Sequence, residues 1–305
     1  MPRERAFVYA VCGGAAYIRM LHRSLEYLRP RTALPIIVVT DSRRNEIAIN
    51  HPNVIDVETP QRFSHHQASI FFKTGLHRVL PPDREYAYLD TDVIAVAEGV
   101  DLIFDRQSGP VTFASDLTFL KSCVGTFSRY AVNCSCLERG SRPCSHLAQA
   151  IQRKFGASVP DDWVQWNGGV FLFGPEAFPF MEMWHTLTLQ IFDDPYWRVR
   201  DQGTLIATVW KLGLQRQGRL PTEFNFILDL ANSRLRFDRT AGYSIHQSLP
   251  RIHPTFLHLM HTGFDRPDWS FAHDIEDVLE ERSRQDMAEG QQHRHRYFGW
   301  LRRRA

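Results

Sequence analysis

The chain has 305 residues, 43% of them hydrophobic and 12% aromatic, enough to bury a large core in one large domain or two small ones. A formal net charge of +2 gives no global electrostatic case for nucleic-acid binding. No apolar run approaches the ~20 residues of a membrane-spanning helix, and Met1-Pro-Arg-Glu-Arg5 leads directly into an apolar strand rather than a signal peptide, so a cytoplasmic protein is expected.

In chain order, Ala6 to Val11 reads as a short buried strand, followed by Cys12-Gly13-Gly14, a loop able to bring backbone close to a ligand. Ile18, Leu21, Leu25 and Leu28 recur at helical spacing, which predicts a helix over 15–28 that Pro30 ends. Leu34 to Asp41 is a second buried strand and Val54 to Val57 a third. Gln67 to Leu80 reads as a helix stopped by Pro81-Pro82. Glu85 to Val96 is then a strand carrying Asp90 and Asp92. Such alternation predicts an α/β fold built on one open, mostly parallel sheet flanked by helices. Ligands of such sheets sit at the carboxyl ends of the strands. The Gly13-Gly14 loop, Thr40-Asp41 and Asp90-Thr91-Asp92 all fall at that edge. Further on, Val111 to Ser115 is a strand, Cys123 to His146 an irregular excursion, and within Trp163 to Gly174 a glycine pair opens a buried strand. Helices follow over 175–192 and from Asp201-Gln202 to Gly213, then a last apolar strand over 254–260. The domain is expected to span 1–273, with a charged helical tail over 274–305.

In an extended chain Asp90 and Asp92 point to one face and Thr91 to the other. Like charges at ~4 Å repel by about 1 kcal/mol even in water. A hard divalent cation, Mg²⁺ or Mn²⁺, would offset this, since both favour carboxylate oxygen and share their shell with substrate phosphates. Two solvated aspartates at a strand end would give the same sequence. Elsewhere, Cys134-x-Cys136 and Cys144-x-His146 supply four soft ligands in two close pairs, the makings of a structural Zn²⁺ site. Unpaired buried cysteines or one disulfide are the alternatives. The arginine-rich C-terminus with Tyr297, Phe298 and Trp300 suits either a lipid headgroup surface or a frayed basic end.

Four landmarks stand in a fixed order: Tyr88-Leu-Asp90-Thr-Asp92-Val, Asn167-Gly168-Gly169-Val170, Asp201-Gln202, and His261-Thr-Gly263 with Arg266-Pro267. This series resembles the GT-A nucleotide-sugar glycosyltransferases, and within them retaining family 8, the glycogenin- and galactosyltransferase-like enzymes. The likeness runs from about residue 6 to 270. It implies a metal-dependent transfer from a UDP-sugar to a carbohydrate, lipid-linked or protein acceptor. Asp90, Asp92 and His261 would hold Mn²⁺ or Mg²⁺ on the donor diphosphate. Tyr17 would stack on the uracil, Lys73 and Arg266 would meet phosphate, and Asn167, Gly168, Gly169 and Gly263 would line the donor pocket. Asp201 would take sugar hydroxyls, with Gln202 near the anomeric carbon. The family's His-x-x-Gly-x-x-Lys-Pro-Trp is altered here: His261 lies one residue nearer the glycine, Arg266 replaces the lysine, and Asp268 separates Pro267 from Trp269. The shift leaves His258 a rival ligand. Three other readings stay open: a haloacid-dehalogenase-like phosphohydrolase using Asp90 and Asp92, a non-catalytic sugar- or nucleotide-binding module, and a sugar-1-phosphate nucleotidyltransferase. The last lacks the basic glycine-rich loop it would need after the first strand.

Overall fold

The computed structural model describes residues 3–116, 131–134, 146–160, 162–198, 201–228, 235–240, 242–244, 251–259, 276–277, 279–281 and 284–285. Its centre is a six-stranded sheet of β1 (Arg5–Ala10), β2 (Ile36–Thr40), β3 (Val54–Asp56), β4 (Glu85–Leu89), β6 (Val111–Ser115) and β7 (Trp166–Phe173), ordered β3-β2-β1-β4-β7-β6. The first four strands in that order run parallel, and β7 is antiparallel to both its neighbours. This is the mostly parallel open sheet flanked by helices that the strand–helix alternation predicts.

Both faces of β1, β2, β4 and β7 are covered, so these strands are buried almost throughout rather than alternating. Along β1, Ala6, Val8 and Ala10 pack on one side, with Phe72 of α2 (His65–Gly75) and Trp184 of α4 (Phe178–Leu189). Phe7 and Tyr9 pack on the other, with Ile18, Leu21, Leu25 and Leu28 of α1 (Ala15–Leu28). The helical spacing read from the sequence is therefore the face α1 buries. Across β4, β7 and β6, Tyr88, Phe171 and Phe113 stack with ring centroids 4.8 and 4.6 Å apart. Offset aromatic packing of this kind adds about 1 kcal/mol per pair beyond area burial. It makes the middle of the sheet a stiff floor.

The aspartate strand is not continuous. The ladder ends where the Asp90 amide donates to the Gly169 carbonyl at 2.8 Å. The chain then turns, with Val93 N–H reaching back to the Asp90 carbonyl at 3.1 Å. β5 (Val93–Ala95) enters a second sheet, antiparallel to β11 (Phe256–His258), which in turn pairs in parallel with β8 (Phe226–Ile227). Asp90 and Asp92 thus lie on a turn between two sheets, and the strand alternation expected of them does not operate.

Two helices also differ from their expected bounds. The helix expected over 67–80 begins two residues earlier. The Ser64 side chain accepts from the Gln67 amide, and the Gln67 side chain accepts from Ser64 N–H, which closes a capping box. As an α-helix it ends at Gly75, and one 3₁₀ turn covers Leu76–Arg78. The helix expected over 175–192 opens with a 3₁₀ turn at Pro175–Ala177 before α4. The helix at Asp201 is as expected: α5 (Asp201–Lys211) closes near Gly213, whose φ of +69° suits a residue without Cβ. A helix the sequence reading did not separate, α3 (His146–Phe155), buries Leu147, Ala150 and Ile151 among Trp197 and Ile206.

The chain divides into two compact units, one of residues 1–227 with 255–258 and one of 228–254 with 259–305. The first contains both sheets above. In the second, β9 (Arg236–Asp238) and β10 (Gly242–Ser244) form an antiparallel pair, and Tyr243 donates to Glu276 at 3.1 Å. The expected boundary at 273–274 lies outside the described residues.

Candidate active site

Five segments of the first unit deliver polar side chains to the carboxyl edge of the sheet: the β4–β5 turn, α2, the start of β7, the first turn of α5, and β11. Asp90, Asp92 and His258 bring ligand atoms within 4.8 Å of one another. His258 Nε2 stands 3.4 Å from Asp92 Oδ1. Asp92 and His258 are buried, and Asp90 is partly open. Two carboxylates and an imidazole are a donor set that suits Mn²⁺ or Mg²⁺.

Lys73 binds the site together. The residue is 7% exposed, and its ammonium lies 3.0 Å from Asp90 and 2.7 Å from Asp201, and 5.2 Å from the centre of the Tyr88 ring. Burial opposes its charge, but the two carboxylates outweigh burial and raise its pKa. The same ammonium offsets burial at Asp201, whose pKa is lowered. At Asp90 the balance goes the other way. Burial raises its pKa; Lys73 opposes that, while Asp92 and Asp201 add to it. The Tyr88 hydroxyl donates to Asp90 Oδ1 at 2.6 Å. At His258 burial disfavours the cation, yet Asp92 carries its pKa upward. Three acids thus share one ammonium and one imidazole, and a carboxylate with a raised pKa among other carboxylates marks a place that a further cation would suit.

The glycine pair of β7 is explained by what stands over it. A Cβ on Gly169 would come 2.2 Å from His258 Cε1, so the ring reaches the aspartates only because that side chain is missing. A Cβ on Gly168 would lie 3.3 Å from Asp201 Oδ2 and 3.4 Å from Lys73 Nζ. Gly168 N–H donates to Gln202 Oε1 at 3.2 Å, and Gln202 Nε2 donates to the Trp166 carbonyl, so this amide is pinned to β7 by both ends. Asn167 Oδ1 accepts from Gly169 N–H at 2.8 Å and from Asn225 Nδ2 at 2.9 Å.

Around the first loop, Gly13 has a φ of +103°, and a Cβ there would lie 2.4 Å from His65 Nδ1. Asn45 Oδ1 accepts from Gly13 N–H at 3.0 Å and Glu46 Oε2 from Ala15 N–H at 2.8 Å. Tyr17 projects from the first turn of α1 and is 48% exposed. Asp41 is turned inward. It accepts from Thr59 N–H at 2.8 Å and pairs with Arg43 and Arg44 at 3.2 and 3.3 Å; against the cost of burial, the Thr59 hydrogen bonds and Arg43 hold it well below the usual carboxylate range. That carboxylate anchors the loop after β2.

The sequence-derived set therefore divides. Lys73, Asp90, Asp92, Gly168, Asp201 and Gln202 come together, with Asn167 and Gly169 beside them. His258 is the histidine at the aspartates; His261, Gly263 and Arg266 lie outside the described residues. So do Cys136 and Cys144 of the possible zinc set, and residues 294–305 of the tail. Asn225 was missed. Its signal was an amide inside the apolar run Phe224-Asn-Phe-Ile227, because a buried amide there must find partners. Among the described residues no helix is long and apolar enough to cross a membrane.

No protein-family model matches the sequence, and no curated protein matches it. Solved structures do. The galactosyltransferase LgtC, in complex with donor and acceptor sugar analogues, superposes over 90% of this chain and 94% of its own with a TM-score of 0.51 and 16% identity. Mouse xyloside xylosyltransferase 1 does so over 86% and 99%, with a TM-score of 0.50 and 14% identity. GlyE, a glycosyltransferase of Streptococcus pneumoniae TIGR4, matches over 92% of this chain and 60% of its own, with a TM-score of 0.50 and 18% identity. At such identities the likeness is one of fold: the chain has the mixed α/β fold of these glycosyltransferases.

Proposed function

We propose that this chain, which has the GT-A glycosyltransferase fold, moves a sugar from a UDP-sugar to an acceptor with retention of anomeric configuration, in the presence of Mn²⁺ or Mg²⁺. The observation that carries this reading is the meeting of Asp90, Asp92 and His258 within 4.8 Å at the carboxyl edge of the sheet. Those three residues would hold the cation, which when bound neutralises charge building on the departing nucleoside diphosphate. Lys73 keeps Asp201 ionised and fixes it beside Gly168, ready to accept hydrogen bonds from sugar hydroxyls. Gln202 is oriented by the β7 backbone and stands next to that position. Gly168 leaves space at the Lys73–Asp201 pair for a ligand to approach main chain. Tyr17 offers an exposed ring for the base. Gly263 and Arg266 belong to the proposal through their place in the sequence series alone. No general base is assigned, because a retaining transfer of this kind lets the leaving phosphate assist the acceptor hydroxyl.

The central position of β4, preceded by β1, α1, β2, β3 and α2, favours transferase over phosphohydrolase, whose motif stands near the N-terminus. The direct test is a donor screen reading UDP release with Mn²⁺ and with chelator. We expect release from one or a few UDP-sugars, abolished by chelator. Asp92→Asn should lose turnover by at least about 100-fold while keeping its far-ultraviolet circular dichroism, since it removes one of three ligands. Full activity in that variant would refute the mechanism, and a screen with no donor would favour a binding module.

A further inference from the structure

The hydrogen bonds behind His258 fix which of its nitrogens donates to them by a chain of elimination. Gly169 N–H is a main-chain amide and can only donate, so the Asn167 atom it meets at 2.8 Å is the carbonyl oxygen Oδ1. That oxygen also contacts the Asn225 side chain at 2.9 Å, so the Asn225 atom there is the amide nitrogen Nδ2. The other end of the Asn225 amide is then its oxygen, and it lies 3.0 Å from His258 Nδ1. An oxygen at that distance accepts, so Nδ1 carries a proton, and Nε2, 3.4 Å from Asp92 Oδ1, is the nitrogen turned toward the aspartates. All three side chains are buried, Asn225 at 2% exposure, Asn167 at 8% and His258 at 5%.

We propose that Asn225 is a positioning residue for the cation site: anchored through Asn167 to the β7 backbone, it holds His258 in the Nδ1–H tautomer and turns Nε2 toward the space between Asp90 and Asp92. This rests on the proposed cation site. Metal-ligating histidines need their second nitrogen tied to an acceptor, and loss of such a partner typically weakens metal binding about 10- to 100-fold. Asn225 reaches its place from the end of the 3₁₀ turn Thr222–Phe224, with its N–H bonded to the Thr222 carbonyl at 3.1 Å. It therefore joins two strands that lie in different sheets, β7 and β11.

Two readouts test this on the full chain. Two-bond ¹H–¹⁵N correlation of the imidazoles, with His258 assigned by the signals lost in His258→Gln, should show Nδ1 of the wild type protonated, and the Nδ1–H tautomer once Zn²⁺ or Mg²⁺, free of Mn²⁺, is added as a diamagnetic ion. Mn²⁺ titration followed by electron paramagnetic resonance of the free ion should show a dissociation constant about 10- to 100-fold weaker in Asn225→Ala, with the Nδ1–H signature lost. Asn225→Asp keeps an acceptor opposite Nδ1 and should keep that signature. An Nε2–H tautomer in the wild type overturns the proposal without any variant, as does Asn225→Ala binding Mn²⁺ within about twofold of wild type. If Asn225→Ala does not fold, the wild-type tautomer and Asn225→Asp decide. A wild-type protein that binds no Mn²⁺ refutes the underlying cation site instead, so the two failures are told apart.

Discussion

Lys73 is one of four lysines in the chain, and it is buried between two acids. Its removal should cost more than a surface ion pair, because two carboxylates would remain in a site that water reaches poorly. Breaking a buried pair by deleting one partner typically costs about 3–5 kcal/mol. Lys73→Met, unfolded in urea at pH 7 with chelator present, should fall toward the lower end of that range, since Asp90 and Asp201 are not wholly enclosed. A midpoint equal to wild type would mean that the acids find other compensation. Residues of this kind were partly legible in the sequence. The family resemblance gives Lys73 a phosphate, and nothing local says that it meets Asp201, 128 positions away. Asn225 was less legible still: its partners stand 33 and 58 residues off, and both contacts exist only once β11 and β7 are assembled.

At the scale of elements, α2 and α4 meet through a histidine that is never at ease when charged. His185 is fully buried, shares a 2.9 Å hydrogen bond with Thr74, and lies so close to Gly75 that a Cβ there would be 3.0 Å from its ring. Burial, helped by Arg78 and His77 and opposed by Glu182, lowers its pKa from 6.5 to about 4. Between those values the unfolded chain binds a proton that the folded chain refuses, so stability drops as pH falls from 6.5 toward 4 and is level above that window. The contribution is on the order of 3 kcal/mol. Urea midpoints measured from pH 7 to 4.5 should trace this fall, and His185→Gln should flatten it to the smaller slope left by His77 and His51, whose pKa values burial also lowers. An unaltered slope in the variant would assign the effect elsewhere. Elements with their own pattern, such as α1 with its leucine stripe and α5 with its Asp201 start, were readable directly. The break between β4 and β5 was not. Tyr-Ala-Tyr-Leu before the aspartates and Val-Ile-Ala after them are both strand-like, and only the competing partners Gly169 and β11 show that the chain turns between them.

For the whole molecule, a ligand that binds only the folded state stabilises it by mass action. Mn²⁺ at about 100 times its dissociation constant should add roughly 2.7 kcal/mol, seen as a rise in melting temperature that chelator reverses. The rise should vanish in Asp92→Asn and His258→Gln. An equal rise in those variants would place the ion at another site. The fold class was the most legible property of all, because alternating strands and helices with both sheet faces covered leave few architectures open. The second, small sheet escaped notice since β8, β5 and β11 are two or three residues long and far apart in the chain.

The acids stand where the polypeptide steps from the six-stranded sheet to the three-stranded one, and His258 is the last residue of the strand that receives it. An ion seated there would act as a rivet through that seam. Donor occupancy and the breathing of the seam then become one equilibrium, so amide exchange at Val93 to Ala95 would report ligand arrival from the protein's side.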